Sequence, residues 1–183
     1  MSESSALLKI SYSPRKLQST SVKQVTISPV QQYQKILIAH DGSEMSDKAL
    51  RHALYLSKAS GAELVIMNVI EAEVIPPSFV LAFMKPGVSL EKAKDELRNT
   101  MEGAVKQMLE ERVRVSKEAG VAKVCHLIRI GKPVEEIIAA SEEGNYDLIV
   151  MASGKITSPV RSLGSIARRI LDSTRKPILI VHE

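Results

Sequence analysis

The feature that most restricts the fold of this chain is an alternation. Five short apolar runs, rich in β-branched residues and Leu, recur at Lys35–Ala39, Glu63–Ile70, Lys123–Ile130, Asp147–Met151 and Pro177–Val181. Runs this short and this rich in such residues read as strands, while the stretches between them carry apolar residues three and four apart, the helical period. The first stripe joins Met45, Ala49, Ala53, Leu56 and Ser60, with Asp41 or Ser43 as cap and Gly61 as terminator. The second joins Leu90, Ala93, Leu97, Met101, Ala104 and Met108, capped by Ser89 and stopped at Gly120. The third begins Pro133, Val134, Ile137 and Ile138, with proline in the first turn, where its missing N–H costs nothing. The fourth runs through Leu163, Ile166, Ala167, Ile170, Leu171 and Thr174.

Strict strand–helix alternation predicts an α/β fold, a five-stranded parallel sheet with helices on both faces. The near-continuous apolar strands agree, since central parallel strands are buried on both sides. His126 and Arg129 interrupt the third run and place it at an edge. Right-handed crossovers, winding one way for three strands and the other way for two, give the Rossmann-like order 3-2-1-4-5. The chain then reverses between strands 1 and 4, and ligands bind in the crevice beyond the carboxyl ends of such strands. The fifth strand falls at the other edge, yet Ile178–Val181 is wholly apolar. An apolar edge invites pairing with another chain, so a homodimer through this strand is expected; the alternative is that Val25–Val30 of the same chain covers it.

At 183 residues the chain suits one domain with a sizeable core. Residues 1–34 are Ser-rich and basic, with Glu3 the sole acid, and read as a flexible extension to a domain at 35–183. An organelle transit segment is the other reading of that stretch, which lacks the apolar core of a secretory signal. No run approaches the ~18 apolar residues of a membrane span. A cytoplasmic setting with no membrane partner is the expectation. Aromatics are 3% with no Trp, which weighs against single-stranded nucleic acid and its stacking platforms. The net charge of +4 is spread along helices where Lys and Arg alternate with Glu, so no nucleic-acid partner is expected. Cys125, the one cysteine, sits among apolar residues and reads as a buried structural thiol.

Strand 1 is followed by His40, Asp41, Gly42 and Ser43, and strand 4 by Ala152, Ser153, Gly154 and Lys155. Leu163, Gly164, Ser165 and Ile166 then open the last helix. Phosphate binding needs backbone N–H groups aimed at one point, close approach that glycine allows, and a helix N-terminus. Gly154, Gly164 and Ser165 meet those needs, with Lys155 and Arg161 adding charge; the same residues also make good helix caps.

Together, Lys35–Ser43, Asp147–Gly154, the Leu163–Ser165 turn and the ending Lys176–Val181 resemble the universal stress protein family, over roughly Tyr33 to the end. The resemblance implies the five-stranded fold, a dimer, a role in stress response and, in ATP-binding members, the pattern Gly-x-x-Gly, nine residues, then Gly-Ser or Gly-Thr. Nine residues separate Gly154 from Gly164, so Gly154 matches the second glycine, and Gly164 with Ser165 the final pair, expected on the phosphates. Asp41 matches the acid expected near the nucleoside, and Val69 the strand-2 position whose backbone meets adenine. Ala152 and Ser153 complete the implied nucleotide-binding set. The implied ligand is ATP or a related adenine nucleotide, with or without Mg. The first glycine is missing: its place falls on Met151 by count, or on Ala152 with a shortened loop. An added Cβ there crowds the ribose or phosphates, which keeps open a second reading, a dimeric stress-related interaction module that has lost ATP binding.

Neither reading is enzymatic. Ser165 has no evident base, Asp41 no paired carboxylate, and no Walker loop is present, although slow ATP hydrolysis stays open. His40, His52, His126 and His182 share no metal-ligand spacing. Only His40 lies beside the crevice, as a hydrogen-bonded structural residue or as part of the site. The connection 72–88 is very apolar around Ile75–Met84; a lid over a bound base, a protein-partner patch and a short core helix all fit.

Overall fold

A computed structural model of the chain describes residues 32–71, 89–154 and 163–182. The extension up to residue 31, the apolar connection 72–88, and Lys155 and Arg161 lie outside the described residues, as do the expectations attached to them.

The five expected strands form β1 (Lys35–Ala39), β2 (Glu63–Ile70), β3 (Val124–Ile130), β4 (Leu148–Ala152) and β5 (Ile178–Val181). They make one parallel sheet in the order β3-β2-β1-β4-β5. Among the described residues four helices alternate with them: α1 (Glu44–Ser60), α2 (Leu90–Glu118), α3 (Pro133–Glu143) and α4 (Ser165–Ser173). Ser43 caps α1 by accepting the Ser46 N–H, and Ser89 caps α2 by accepting the Lys92 N–H.

Successive side chains of a strand point to opposite faces, so the sheet separates two apolar layers. Ile36, Ile38, Leu64 and Ile66 face α1 and α2, where they meet Ala49, Leu50, Ala53 and Leu109. Leu37, Val65 and Ile149 face α3 and α4, where they meet Val134, Ile137, Ala167 and Ile170. The helices thus lie on both faces, and the ends of β1 and β4 open between the layers.

Helix faces differ from expectation in detail. On α1 the buried residues are Ser46, Ala49, Leu50, Ala53 and Ser57, with Met45, Leu56 and Ser60 at the margin. On α2, Leu90 and Ala104 are exposed, and burial is confined to Leu109 and Ser116 in the second half, which packs over β2 and β3. Ile166 and Leu171 of α4 are also exposed. The thiol of Cys125 is not buried as expected: it is exposed. Val124 and Ile128 of this edge strand pack into the α1–α2 layer, and Cys125 falls on the strand's other side, 3.9 Å from a Glu63 carboxylate oxygen. Partial burial and that carboxylate push its pKa up. No described helix is long and apolar enough to cross a membrane.

Candidate functional site

A cleft of about 560 Å³ opens at the carboxyl ends of the central strands. Asp41, Val69, Ala152, Ser153, Gly154, Gly164 and Ser165, the seven residues singled out from the sequence, all line it. They reach it from four directions: the turn after β1, the end of β2, the end of β4 and the start of α4.

The two glycines meet there. Gly154 leaves β4 at φ 79, a left-handed conformation that a side chain rarely adopts. Gly164 packs against it: a Cβ added at Gly154 would lie 3.6 Å from the Cα of Gly164. A Cβ added at Gly164 would lie only 2.7 Å from the carbonyl oxygen of Ser153, so α4 starts closer to β4 than any side chain permits. Buried Ser153 holds this junction with its backbone, donating its N–H to Val181 on β5 (2.9 Å) and accepting the Gly164 N–H (2.7 Å). The Gly164 N–H is therefore not a donor to an anion, as the sequence suggested it could be. Ser165, Ile166 and Ala167, the first turn of α4, line the cleft, and their N–H groups have no partner inside their own helix.

The opposite wall is built on the β1 turn. The carboxylate of Asp41 accepts the N–H of Ser43 at 3.0 Å. Loss of solvent raises its pKa, but hydrogen bonds from Ser43 and Ser46 outweigh this and hold it below the ordinary 3.8. Beside it His40 is buried, with 2% of its surface exposed. Burial pushes its pKa below 6.5 against the pull of Asp47.

Several contributors were not found from the sequence. Asn68, buried at the end of β2, donates its amide N–H to the His40 carbonyl at 2.7 Å and lines the cleft. Met101 and Val105 of α2 form part of the wall, although α2's stripe was read only as core. With Met67, Ile70 and Met151 they make the cleft mostly apolar, with polar groups at Asp41, Ser153 and Ser165. An apolar cavity with a few converging polar groups suits a small ligand with a flat apolar part and an anionic part. Both places considered for the missing first glycine fall at the cleft. Met151 and Ala152 both line the cleft, Met151 almost fully buried and Ala152 as the last residue of β4.

Comparison with known proteins follows the same residues. The residue pattern of the universal stress protein family matches 32–182. Universal stress protein MJ0577 of Methanocaldococcus jannaschii is 30% identical over 154 residues, covering 81% of this chain and 94% of that protein. Universal stress protein YxiE of Bacillus subtilis is 32% identical over 151 residues, covering 82% and 99%. The solved structure of MJ0577 superposes with a TM-score of 0.69 at 27% identity, over 84% of this chain and 98% of that chain. A universal stress protein in complex with cAMP superposes with a TM-score of 0.61 at 22% identity, over 83% and 98%; at that identity the likeness is one of fold.

Proposed function

Because the chain belongs to the universal stress protein family, we propose that it is an adenine-nucleotide-binding protein of the stress response, holding ATP or a related nucleotide, with or without Mg, in the cleft between β1 and β4. The observation that carries this reading is the contact of Gly154 with Gly164, which draws the first turn of α4 to the mouth of an apolar cleft. Unpaired amides and the helix dipole favour an anion at that point. The base then lies toward Val69 and the methionine wall, with Asp41 on the nucleoside. A relative of this fold takes cAMP, an adenine nucleotide. The role we assign to the cleft is binding, not efficient turnover. Slow hydrolysis stays open.

Thermal unfolding of the full chain with millimolar MgATP, ADP, AMP or cAMP tests this. A ligand present at about 100 times its Kd raises stability by about 2.7 kcal/mol. No shift with any of the four overturns the reading.

One observation favours the second reading, a dimeric interaction module without nucleotide. The buried Met151 side chain and the Ala152 Cβ occupy space at the cleft that the family's first glycine leaves open. If crowding there is what weakens binding, Ala152→Gly with one inserted residue strengthens the MgATP shift; no gain removes crowding as the cause.

A further inference from the structure

The wall opposite the glycines holds a chain of charged and polar groups that neither reading uses. His40 is fixed by its backbone, which donates to the Met67 carbonyl at 2.8 Å and accepts from Asn68 at 2.7 Å. Its ring Nδ1 lies 3.2 Å from the Gly42 N–H. An N–H only donates, so Nδ1 presents a lone pair and the ring proton resides on Nε2. That proton goes to Asp47 Oδ1 at 3.0 Å, on the first turn of α1. Asp47 is in turn gripped through both oxygens by the Nε and Nη2 of Arg112, each at 3.2 Å, from α2. Such two-point Arg–carboxylate pairs fix orientation as well as charge. Ser46 Oγ sits 3.3 Å from the same Nδ1 and donates to the Ser43 carbonyl at 2.8 Å, tying in the far side of the turn. The same α2 supplies Met101 and Val105 to the cleft wall.

We propose that His40 is the positioning residue for the turn that presents Asp41 to the cleft, and that α2 acts on this turn through Arg112 and Asp47. The charged and titratable groups facing the imidazole are Asp47 from α1, Arg112 from α2 and Asp41 from its own turn; β2 contributes the neutral Asn68. Protonating Nδ1 turns an acceptor into a donor facing the Gly42 N–H. The turn then loses its anchor, and Asp41 loses its placement. Arg112 opposes that protonation and Asp47 favours it, so removing one or the other moves the titration in opposite directions. A role in ligand binding rests on the nucleotide reading above, whereas the coupling of His40 to the turn does not.

The experiment follows the ring nitrogens of His40 and the backbone amide of Gly42 by NMR across pH, in the full wild-type chain and in Arg112→Gln and Asp47→Asn. The expected result is the Nε2–H tautomer at neutral pH. A single midpoint should be shared by the His40 ring and the Gly42 amide, rising in Arg112→Gln and falling in Asp47→Asn. A His40 in the other tautomer, or a Gly42 amide indifferent to the ring's titration, overturns the proposal, and the wild-type titration decides this even if a variant fails to fold. MgATP affinity, measured in parallel, should fall by up to about tenfold per pH unit below that midpoint, as the competent fraction declines. Affinity that stays flat through the midpoint overturns the action on Asp41. Absence of any MgATP binding with the shared midpoint intact overturns the nucleotide reading and supports the coupling.

Discussion

Gly164→Ala tests the junction at its tightest point. The backbone there, φ −63 and ψ 160, suits alanine, so the cost is one of contact and not of conformation. The new Cβ falls 2.7 Å from the Ser153 carbonyl oxygen and 3.5 Å from the Gly154 Cα. Carbon–oxygen contacts settle at about 3.3–3.6 Å, so the start of α4 must retreat by roughly 0.6–0.9 Å. The same retreat stretches the hydrogen bond from the Gly164 N–H beyond its working range of about 2.7–3.2 Å. Ser153 is buried, and leaving its carbonyl unpaired costs about 1–3 kcal/mol. The stiffer unfolded chain returns about 0.4–1 kcal/mol of this. Mid-range values leave a net loss of about 1.3 kcal/mol, and the melting temperature falls by about 3–5 °C in a domain of this size.

The control is Gly103→Ala. Gly103 lies on the exposed side of α2, and a Cβ there meets nothing within 4 Å. Alanine in a helix interior is better than glycine by about 1 kcal/mol, so this variant melts higher. Scanning calorimetry of the two variants, each with and without MgATP, gives the answer. Gly164→Ala should lose both stability and the nucleotide shift, while Gly103→Ala gains stability and keeps the shift. If Gly164→Ala melts with the wild type, the junction is looser than the geometry says. If it keeps the full MgATP shift, the phosphates do not sit at the start of α4.

Three further outcomes follow from other contacts. His40 and Asp41 both have folded pKa values below their ordinary 6.5 and 3.8, so the native state holds fewer protons than the unfolded chain just below each value. Their stabilisation is complete above those values and is lost as pH falls, first from 6.5 toward the folded value of His40 and again below 3.8; a urea midpoint that rises between pH 6.5 and 5.5 contradicts this sign. Asp147→Ala removes a carboxylate that accepts the N–H groups of Gln34 and Lys35 at the start of β1, and should cost about 1–3 kcal/mol by urea unfolding, with faster hydrogen exchange at Lys35; an unchanged midpoint and exchange rate refute the tie. The half-exposed Ile178, Leu179 and Ile180 on edge strand β5 should pair with a second copy, so sedimentation at micromolar concentration should find a dimer, and a monomer removes that arrangement.

What the sequence made legible depends on how far apart the interacting groups lie along the chain. The strands were readable because residues such as Ile36, Leu37 and Ile38 are buried on both sides of a parallel sheet and so form unbroken apolar runs. Strand order followed from handedness and from the polar interruptions His126 and Arg129. Helix faces were less readable: on α2 the stripe begins at Leu90, but the sheet lies only under the second half, so pattern and burial part company at Ala104. The glycine junction was readable because Gly154 follows the fourth apolar run, Gly164 opens the fourth helical stripe, and the family resemblance pairs them at a nine-residue spacing. That spacing did not reveal that the Gly164 N–H is spent on Ser153. The Arg112–Asp47 pair had no local signal at all, since 65 residues separate its members. Those two residues meet because α1 and α2 share one face of the sheet, and that sharing is a consequence of the order β3-β2-β1-β4-β5. One wall of the cleft is therefore written in local spacing, and the other in topology. A substitution on α2, far from any motif, reaches the cleft only through the second.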